Sequence, residues 1–317
     1  MARLAPPGRL VDVGGFRLHV QCSGRASPTV VFDAALGASS LSWSLVQPAV
    51  ARIARACAYD RAGFGWSDAG PMPRTAGRIA DELGELLARA DVPPPYLLVG
   101  HSFGGLVTRI FAARRRHLVA GLVLVDPAHP DEWIDPGEHE RRQIARGTRL
   151  CRHGATAARL GIARMVAALV DLGALAPARA LTGLVSRGGL SRADEEILAP
   201  IWKLPPAARR PLRRFWTQPK FYEALGSQIG SICESAAETC NAGLAGFDDL
   251  PLVIIAAATS SDRRRRLHDA LVRRSSRGRL IVARTGGHWI PLDEPAIVIE
   301  VITEMLGGRT SPGSDPS

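Results

Sequence analysis

The chain has very little lysine. Lys203 and Lys220 are its only lysines among 317 residues, so arginine carries nearly all of the positive charge behind a formal net charge of +10. Such a charge suggests nucleic acid or an anionic membrane surface as a partner. The arginines are nevertheless dispersed, apart from two clusters within 209–214 and 263–266, and no aromatic residues accompany them in a nucleic-acid-binding motif. We interpret the high arginine content as a result of codon bias, and the positive charge as part of a solvated surface. We therefore expect no nucleic-acid partner.

A long uncharged apolar run is also missing. The most apolar stretch, 162–185, contains Arg164, Asp171 and Arg179, which are costly in the hydrocarbon core of a bilayer. Residues 1–7 do not include the apolar segment of a signal peptide. The sequence therefore predicts no membrane insertion and a cytoplasmic location.

Paired ligand spacings typical of metal sites are absent. The five cysteines are odd in number and widely separated, at Cys22, Cys57, Cys151, Cys233 and Cys240. Several histidines also lack ligand spacing with cysteines or acids, namely His101, His129, His139, His153 and His268. We expect reduced or incidental thiols, no metal and no cofactor.

The apolar runs predict a mostly parallel sheet. Residues 10–13 and 16–21 flank Gly14-Gly15 and form a hairpin pattern. Later runs alternate with helical patterns such as 75–90, as expected for strands joined by crossover helices. The runs lie at 29–32, 96–99, 118–125, 252–256 and 280–283, and a closing helix is predicted over 295–306.

The two blocks of strands are separated by a long helical insertion. Residues 133–246 show helical periodicity, several prolines and no convincing strand. A segment of this length is not an unstructured loop in a compact domain, so we expect a helical cap over the carboxyl edge of the sheet. The predicted organisation is a first core part at 1–132, the cap at 133–246, a second core part at 247–306, and a disordered tail at 307–317 rich in Gly, Ser, Pro and Thr.

The pentapeptide Gly100-His101-Ser102-Phe103-Gly104 follows an apolar run and precedes a helical pattern. This arrangement predicts a strand that turns sharply into a helix with the Ser102 hydroxyl at the corner. The two glycines suit a cramped, strained turn, because a Cβ atom there would collide with a neighbouring element. We expect His101 to line the cleft and Ser102 to act as a nucleophile.

A serine nucleophile needs a base and a carboxylate that orients that base. His288 is the predicted base, since it follows the last apolar run in the glycine turn Gly286-Gly287-His288. The glycines allow the imidazole to turn back over the sheet.

With these two motifs, the segment Tyr59-Asp60-Arg61-Ala62-Gly63-Phe64-Gly65-Trp66-Ser67-Asp68 makes the chain resemble the α/β-hydrolase superfamily over nearly its whole length. The resemblance implies an α/β fold with an eight-stranded, mostly parallel sheet flanked by helices and a cap inserted after the sixth strand. It also implies that Asp60 and Arg61 have a buried salt-bridge or turn role rather than a catalytic one.

The resemblance further implies an oxyanion hole made by two backbone N–H groups. One belongs to Phe103, directly after the nucleophile. The other comes from the loop after the third strand, where Ala34-Ala35 depart from the His-Gly of many relatives. By position we choose the Leu36 N–H as the second donor. The different side chains at 34 and 35 should affect this role little, because the donor is a backbone group.

The acid of the triad remains open between two regions. After the penultimate strand the register puts Ser260 at the expected position, with Asp262 two residues later. After the sixth strand, Asp131 precedes Trp133 by two residues, which resembles the relocated acid of dehalogenase-type relatives. We favour Asp131 over Asp262, with Asp126 and Glu132 as further candidates.

The sequence thus predicts a serine hydrolase that cleaves a small to medium carboxylic ester with an apolar part. Relatives that act on haloalkanes or epoxides use aspartate at the elbow, whereas Ser102 would form an acyl-enzyme. An amide, lactone or C–C substrate is the alternative within the family, and a non-catalytic ligand receptor on the same fold is the alternative outside it. We expect a monomer or weak homo-oligomer.

Overall fold

The computed structural model describes residues 5–171, 203–242 and 247–307. Its centre is an eight-stranded sheet in the order β1-β2-β4-β3-β5-β6-β7-β8. The first two pairs in this order are antiparallel, and all later pairs are parallel. The strands are β1 Arg9–Asp12, β2 Arg17–Ser23, β3 Thr29–Asp33, β4 Ala56–Asp60, β5 Tyr96–His101, β6 Val119–Val125, β7 Leu252–Ala256 and β8 Gly278–Val282.

Successive side chains along the central strands point to opposite faces of the sheet, so the apolar core is divided between the two faces. Leu98 and Leu122 pack in one apolar cluster, while Val99 and Val123 pack in the other. Helices cover both faces, as a parallel sheet requires. The α-helices before β6 and after β7 are α1 Gln47–Val50, α2 Ala76–Arg89, α3 Gly104–Arg114, α9 Asp262–Val272, α10 Ile290–Asp293 and α11 Pro295–Gly307.

The described residues between β6 and β7 are helical, apart from short connections. They form α4 Glu138–Arg159, α5 Ile162–Asp171, α6 Pro206–Phe215, α7 Pro219–Gly230 and α8 Ile232–Asn241. We call this segment the cap. Part of the predicted cap, at 172–202 and 243–246, and the predicted tail beyond Gly307 lie outside the described residues.

The predicted fold class is confirmed, and the sheet contains the eight strands that the resemblance implied. Strand β4 is the one that the apolar pattern did not predict. Among the described helices, none is long and apolar enough to cross a membrane.

The prediction that all the cysteines are free thiols is wrong. Cys22 on β2 lies directly opposite Cys57 on β4 in the antiparallel register, and the two form a disulfide with their Cα atoms 4.1 Å apart. The strand pairing, rather than the sequence spacing, brings them together. Cys151, Cys233 and Cys240 form no disulfide. A disulfide is typical of oxidising compartments, so the cytoplasmic location stays a prediction without support from the thiols.

Replacing both Cys22 and Cys57 with serine should lower the free energy of unfolding. The bond closes a loop of 35 residues, and the lost restriction on the unfolded chain corresponds to about 3–4 kcal/mol. Urea denaturation of the oxidised protein and the double variant measures the difference. Thiol titration of the unreduced, denatured protein should find the three cysteines outside the disulfide, and finding all five reactive would contradict the disulfide.

Candidate active site

The backbone turns abruptly at Ser102. This residue follows β5 with a φ of 53°, in the left-handed region that non-glycine residues rarely adopt. A Cβ atom on Gly100 would lie 2.5 Å from Oγ1 of Thr108, and one on Gly104 would lie 2.5 Å from the carbonyl oxygen of Asp33. The glycines therefore allow β5, α3 and the end of β3 to approach closely while the serine side chain points off the carboxyl edge of the sheet.

His288 reaches the serine from the loop after β8. Its Nε2 lies 3.0 Å from Oγ of Ser102, and its Nδ1 lies 2.7 Å from Oδ2 of Asp126. With Nδ1–H donating to the carboxylate, Nε2 is left as an acceptor for the serine proton. The arrangement is suited to removing a proton from the hydroxyl.

Asp126 holds this imidazole from the end of β6. It also has a positive φ, of 38°, and its carboxylate is almost completely buried. Oδ1 accepts hydrogen bonds from the backbone N–H of Ala257 at 3.2 Å and from Oγ of Ser260 at 3.1 Å. Burial raises the pKa of Asp126, but the hydrogen bond from His288, its charge and that of Arg264 outweigh burial and lower the pKa below its usual range.

The structure places neither favoured acid beside His288. Asp131 lies in the short 3-10 helix Pro130–Glu132 with its side chain 61% exposed, where its Oδ2 is 3.7 Å from Nδ1 of His129. Asp262 is the exposed first residue of α9. The expectation of an Asp131 or Asp262 contact with the imidazole is corrected to Asp126, because the left-handed turn directly after β6 aims that carboxylate at His288.

Glu132, the remaining candidate acid, is paired elsewhere. Its Oε1 accepts a hydrogen bond from Nε of Arg264 at 3.0 Å, and its Oε2 accepts one from the backbone N–H of His129. Arg264 also lies 3.7 Å from Asp126, so it connects the two carboxylates electrostatically.

Both predicted oxyanion donors lie at the same edge of the sheet. Leu36 is the second residue of a turn closed by a hydrogen bond from Ala38 N–H to the Ala35 carbonyl, with Gly37 at a φ of 70°. Phe103 caps the start of α3. Within the described ranges the N–H groups of Leu36 and Phe103 have no hydrogen-bond acceptor. Their part in an oxyanion hole stays a prediction.

His101 contacts the loop of His288, which the sequence did not indicate. Rather than lining an open cleft, it is fully buried, and its Nε2 lies 2.7 Å from the backbone carbonyl oxygen of His288. Burial, with a smaller contribution from His288, lowers the pKa of His101 to about 3. The ring is therefore neutral and donates to the loop that carries the base.

The cap packs directly on the loop after β3 that contains Leu36. Leu36 contacts the cluster of Phe64 with the cap residues Phe221, Ala224 and Leu225. Ala34, Ala35 and Ala38 pack in a second cluster with cap residues of α6 and with Trp289, next to the base. The surroundings of the site are thus apolar.

The part of the chain that the structure describes holds no cluster of three or more His, Cys, Asp or Glu side chains suited to a metal ion.

The motifs, the sheet order and the placement of Ser102, His288 and Asp126 agree with one family. A model of the family described as alpha/beta hydrolase fold matches residues 28–295. The chain belongs to the α/β-hydrolase family.

One similar protein within curated collections of sequences is an uncharacterized Bacillus subtilis protein, YqjL. It is 39% identical to this chain over 120 residues, covering 38% of this chain and 47% of YqjL. The match thus spans about half the length of that relative.

Solved structures resemble this chain over nearly its whole length. An esterase from Thermogutta terrifontis superimposes with a TM-score of 0.65 at 17% identity, covering 92% of this chain and 94% of the esterase. A mutant of a putative epoxide hydrolase from Pseudomonas aeruginosa gives 0.68 at 16% identity, covering 97% and 98%. At these identities the likeness shows the shared fold.

The buried His101 makes the stability of this protein sensitive to acid. Its pKa is about 3 in the folded protein against an ordinary 6.5, so between these values the unfolded chain binds more protons and stability falls as pH falls. His101→Gln keeps an N–H donor but does not titrate. From about pH 7 to about pH 4.5 the variant should lose about 2 kcal/mol less unfolding free energy than the wild type.

Urea denaturation at both pH values provides the measurement. Exposed His139 offers the matched control, His139→Gln, which should follow the wild type. If His101→Gln shows the same pH dependence as the wild type, the buried neutral imidazole is contradicted.

Proposed function

We propose that this protein is a serine hydrolase that cleaves a carboxylic ester through an acyl-enzyme. The observation that carries the proposal is the continuous hydrogen-bonded chain from Ser102 through His288 to Asp126, with distances of 3.0 and 2.7 Å. A nucleophile within reach of a base, with the base oriented by a buried carboxylate, is the arrangement that activates a serine hydroxyl.

The reaction follows from this geometry in two halves. His288 Nε2 takes the proton as Oγ of Ser102 attacks the ester carbonyl carbon, and the ionised Asp126 stabilises the resulting imidazolium. The N–H groups of Leu36 and Phe103 meet the negative charge that forms on the carbonyl oxygen. His288 then protonates the departing alcohol. In the second half it removes a proton from water, which attacks the acyl carbon. The imidazolium then returns this proton to Oγ of Ser102 as the bond from the acyl carbon to Oγ breaks and the acid is released.

The residue at the elbow favours acyl chemistry over the epoxide and haloalkane chemistry of other family members. Those reactions pass through an alkyl ester of an aspartate, and here the corresponding position is Ser102. Because residue 102 is a serine, a hydroxyl rather than a carboxylate faces His288, at 3.0 Å from Nε2.

The apolar clusters around the site support an ester with an apolar acyl or alcohol group. Trp289 and Trp216 pack in the apolar cluster that contains the loop after β3 and the cap helix α6. Burial of an apolar group there would add to binding roughly in proportion to the area removed from water. A monomeric or weakly oligomeric state is part of the same proposal.

A fluorophosphonate probe should label the native protein on Ser102. Attack of the activated hydroxyl on phosphorus requires the serine and histidine together, so Ser102→Ala should take up no label. Gel fluorescence and peptide mass spectrometry identify the site. Absence of labelling under conditions that label other serine hydrolases would favour a ligand receptor on this fold and reject the catalytic proposal.

Asp126→Asn should lower kcat for a p-nitrophenyl ester by on the order of 10³-fold, because the imidazole loses both its orientation and its counter-charge. Asp131→Asn and Asp262→Asn are matched controls that neutralise nearby loop carboxylates, and each should retain activity within about threefold. Steady-state kinetics on the three variants checks this order. Loss of turnover only in Asp131→Asn or Asp262→Asn would show that Asp126 is not the acid.

A further inference from the structure

Arg61 is a buried guanidinium whose contacts extend beyond its ion pair. It is 3% exposed, and its Nε and Nη2 lie 2.8 and 2.5 Å from Oδ1 of the equally buried Asp33. Tyr59 donates its hydroxyl to the other oxygen of that carboxylate at 3.0 Å. Such a pair neutralises a buried charge. It leaves unexplained why the guanidinium also donates to two backbone carbonyls of the neighbouring loop.

Those two carbonyls belong to the loop that carries the first proposed oxyanion donor. Arg61 Nη2 donates to the carbonyl of Ala34, and its Nη1 donates to that of Ala35 at 3.3 Å. The Ala35 carbonyl and the Leu36 N–H are the two ends of one planar peptide group. In a trans peptide they point in opposite directions, so the bond at the oxygen end fixes the direction of the N–H end.

The same guanidinium also contacts the residue that carries the second donor. Cζ of Arg61 lies 5.0 Å from the centre of the Phe103 ring, within the range of a cation–π interaction, and this ring is 1% exposed. One rigid, planar group thus touches the residues on both sides of the predicted hole. A hydrogen bond to the Ala35 carbonyl in addition polarises that peptide and makes its N–H a better donor.

We infer that Arg61 is a positioning residue for the oxyanion hole. It sets the direction of the Leu36 N–H through the Ala35 carbonyl and holds Phe103 in place through its ring, without contacting the substrate itself. This inference rests on the proposed function. It assigns the loop that follows β4 a part in transition-state stabilisation, in addition to the salt bridge expected from the sequence.

The test separates this role from general support of the core. Arg61→Lys keeps a positive charge for Asp33 but lacks the planar fork that reaches both carbonyls. Tyr59→Phe is the matched control, because it removes one hydrogen bond from the same buried Asp33 without touching the oxyanion loop. If Arg61→Lys does not fold, the pair Arg61→Met with Asp33→Asn removes both charges together.

We expect Arg61→Lys to lower kcat for a p-nitrophenyl ester by about 10- to 100-fold while KM changes by less than about threefold, since a misplaced donor acts on the transition state. Affinity for a boronic acid, which forms a tetrahedral adduct on the serine, should fall by a similar factor. The Tyr59→Phe control should keep both values within about threefold of the wild type, with thermal unfolding measured alongside.

The inference is overturned if a folded Arg61 variant keeps wild-type kcat and boronate affinity, or if Tyr59→Phe loses as much of both. These results differ from failure of the proposed function, in which the wild-type protein itself would show neither fluorophosphonate labelling nor ester turnover. In that case no oxyanion hole operates, and Arg61 has no positioning role for one.

Discussion

The left-handed backbone at Ser102 is the constraint on which the arrangement of the site depends. A φ of 53° requires neighbours that give the corner room, and Gly100 and Gly104 provide it where a Cβ atom would meet Thr108 or the Asp33 carbonyl. The close approach of α3 to the end of β3 follows from the missing Cβ of Gly104. Phe103 and the loop of Leu36 consequently lie at the same edge of the sheet, and the Ser102 hydroxyl faces His288.

The positions around this corner are held mainly by buried polar contacts. Asp126 receives hydrogen bonds from the backbone of Ala257, from Ser260 and from His288. Arg61 connects Asp33 to the Ala34 and Ala35 carbonyls of the loop after β3. Each buried charge would be costly alone, and each is compensated by a partner that also has a positional effect. Polar groups therefore supply the geometry, while the apolar clusters on the two faces of the sheet supply the burial.

Much of the fold could be predicted from the sequence because apolar periodicity and glycine-rich corners report local requirements. The elbow, the runs that become β3, β5, β6, β7 and β8, and the closing helix all have that local character. Strand β4 was missed because Ala56 to Asp60 contains small and polar residues, and its burial comes from the neighbouring strands. The Cys22–Cys57 pair was missed for the same reason, since it depends on the register between β2 and β4.

The candidate site was predictable to the same extent. Ser102 and His288 stand in motifs whose glycines mark their turns, and the structure brings them within 3.0 Å. The carboxylate partner was not readable from spacing, because Asp126 reaches His288 only through a positive φ directly after β6. Ser260, at the register position where an acid was expected, instead donates a hydrogen bond to that carboxylate. The contact of His101 with the His288 carbonyl likewise depends on tertiary structure.

Trapping the acyl-enzyme tests the central claim most directly. The protein would be mixed rapidly with a p-nitrophenyl ester, quenched in acid, digested and examined by mass spectrometry. The account predicts one acyl group on the peptide that contains Ser102, and none in Ser102→Ala, which should also have lost turnover. An acyl group on another residue, or undiminished turnover in Ser102→Ala, would contradict it.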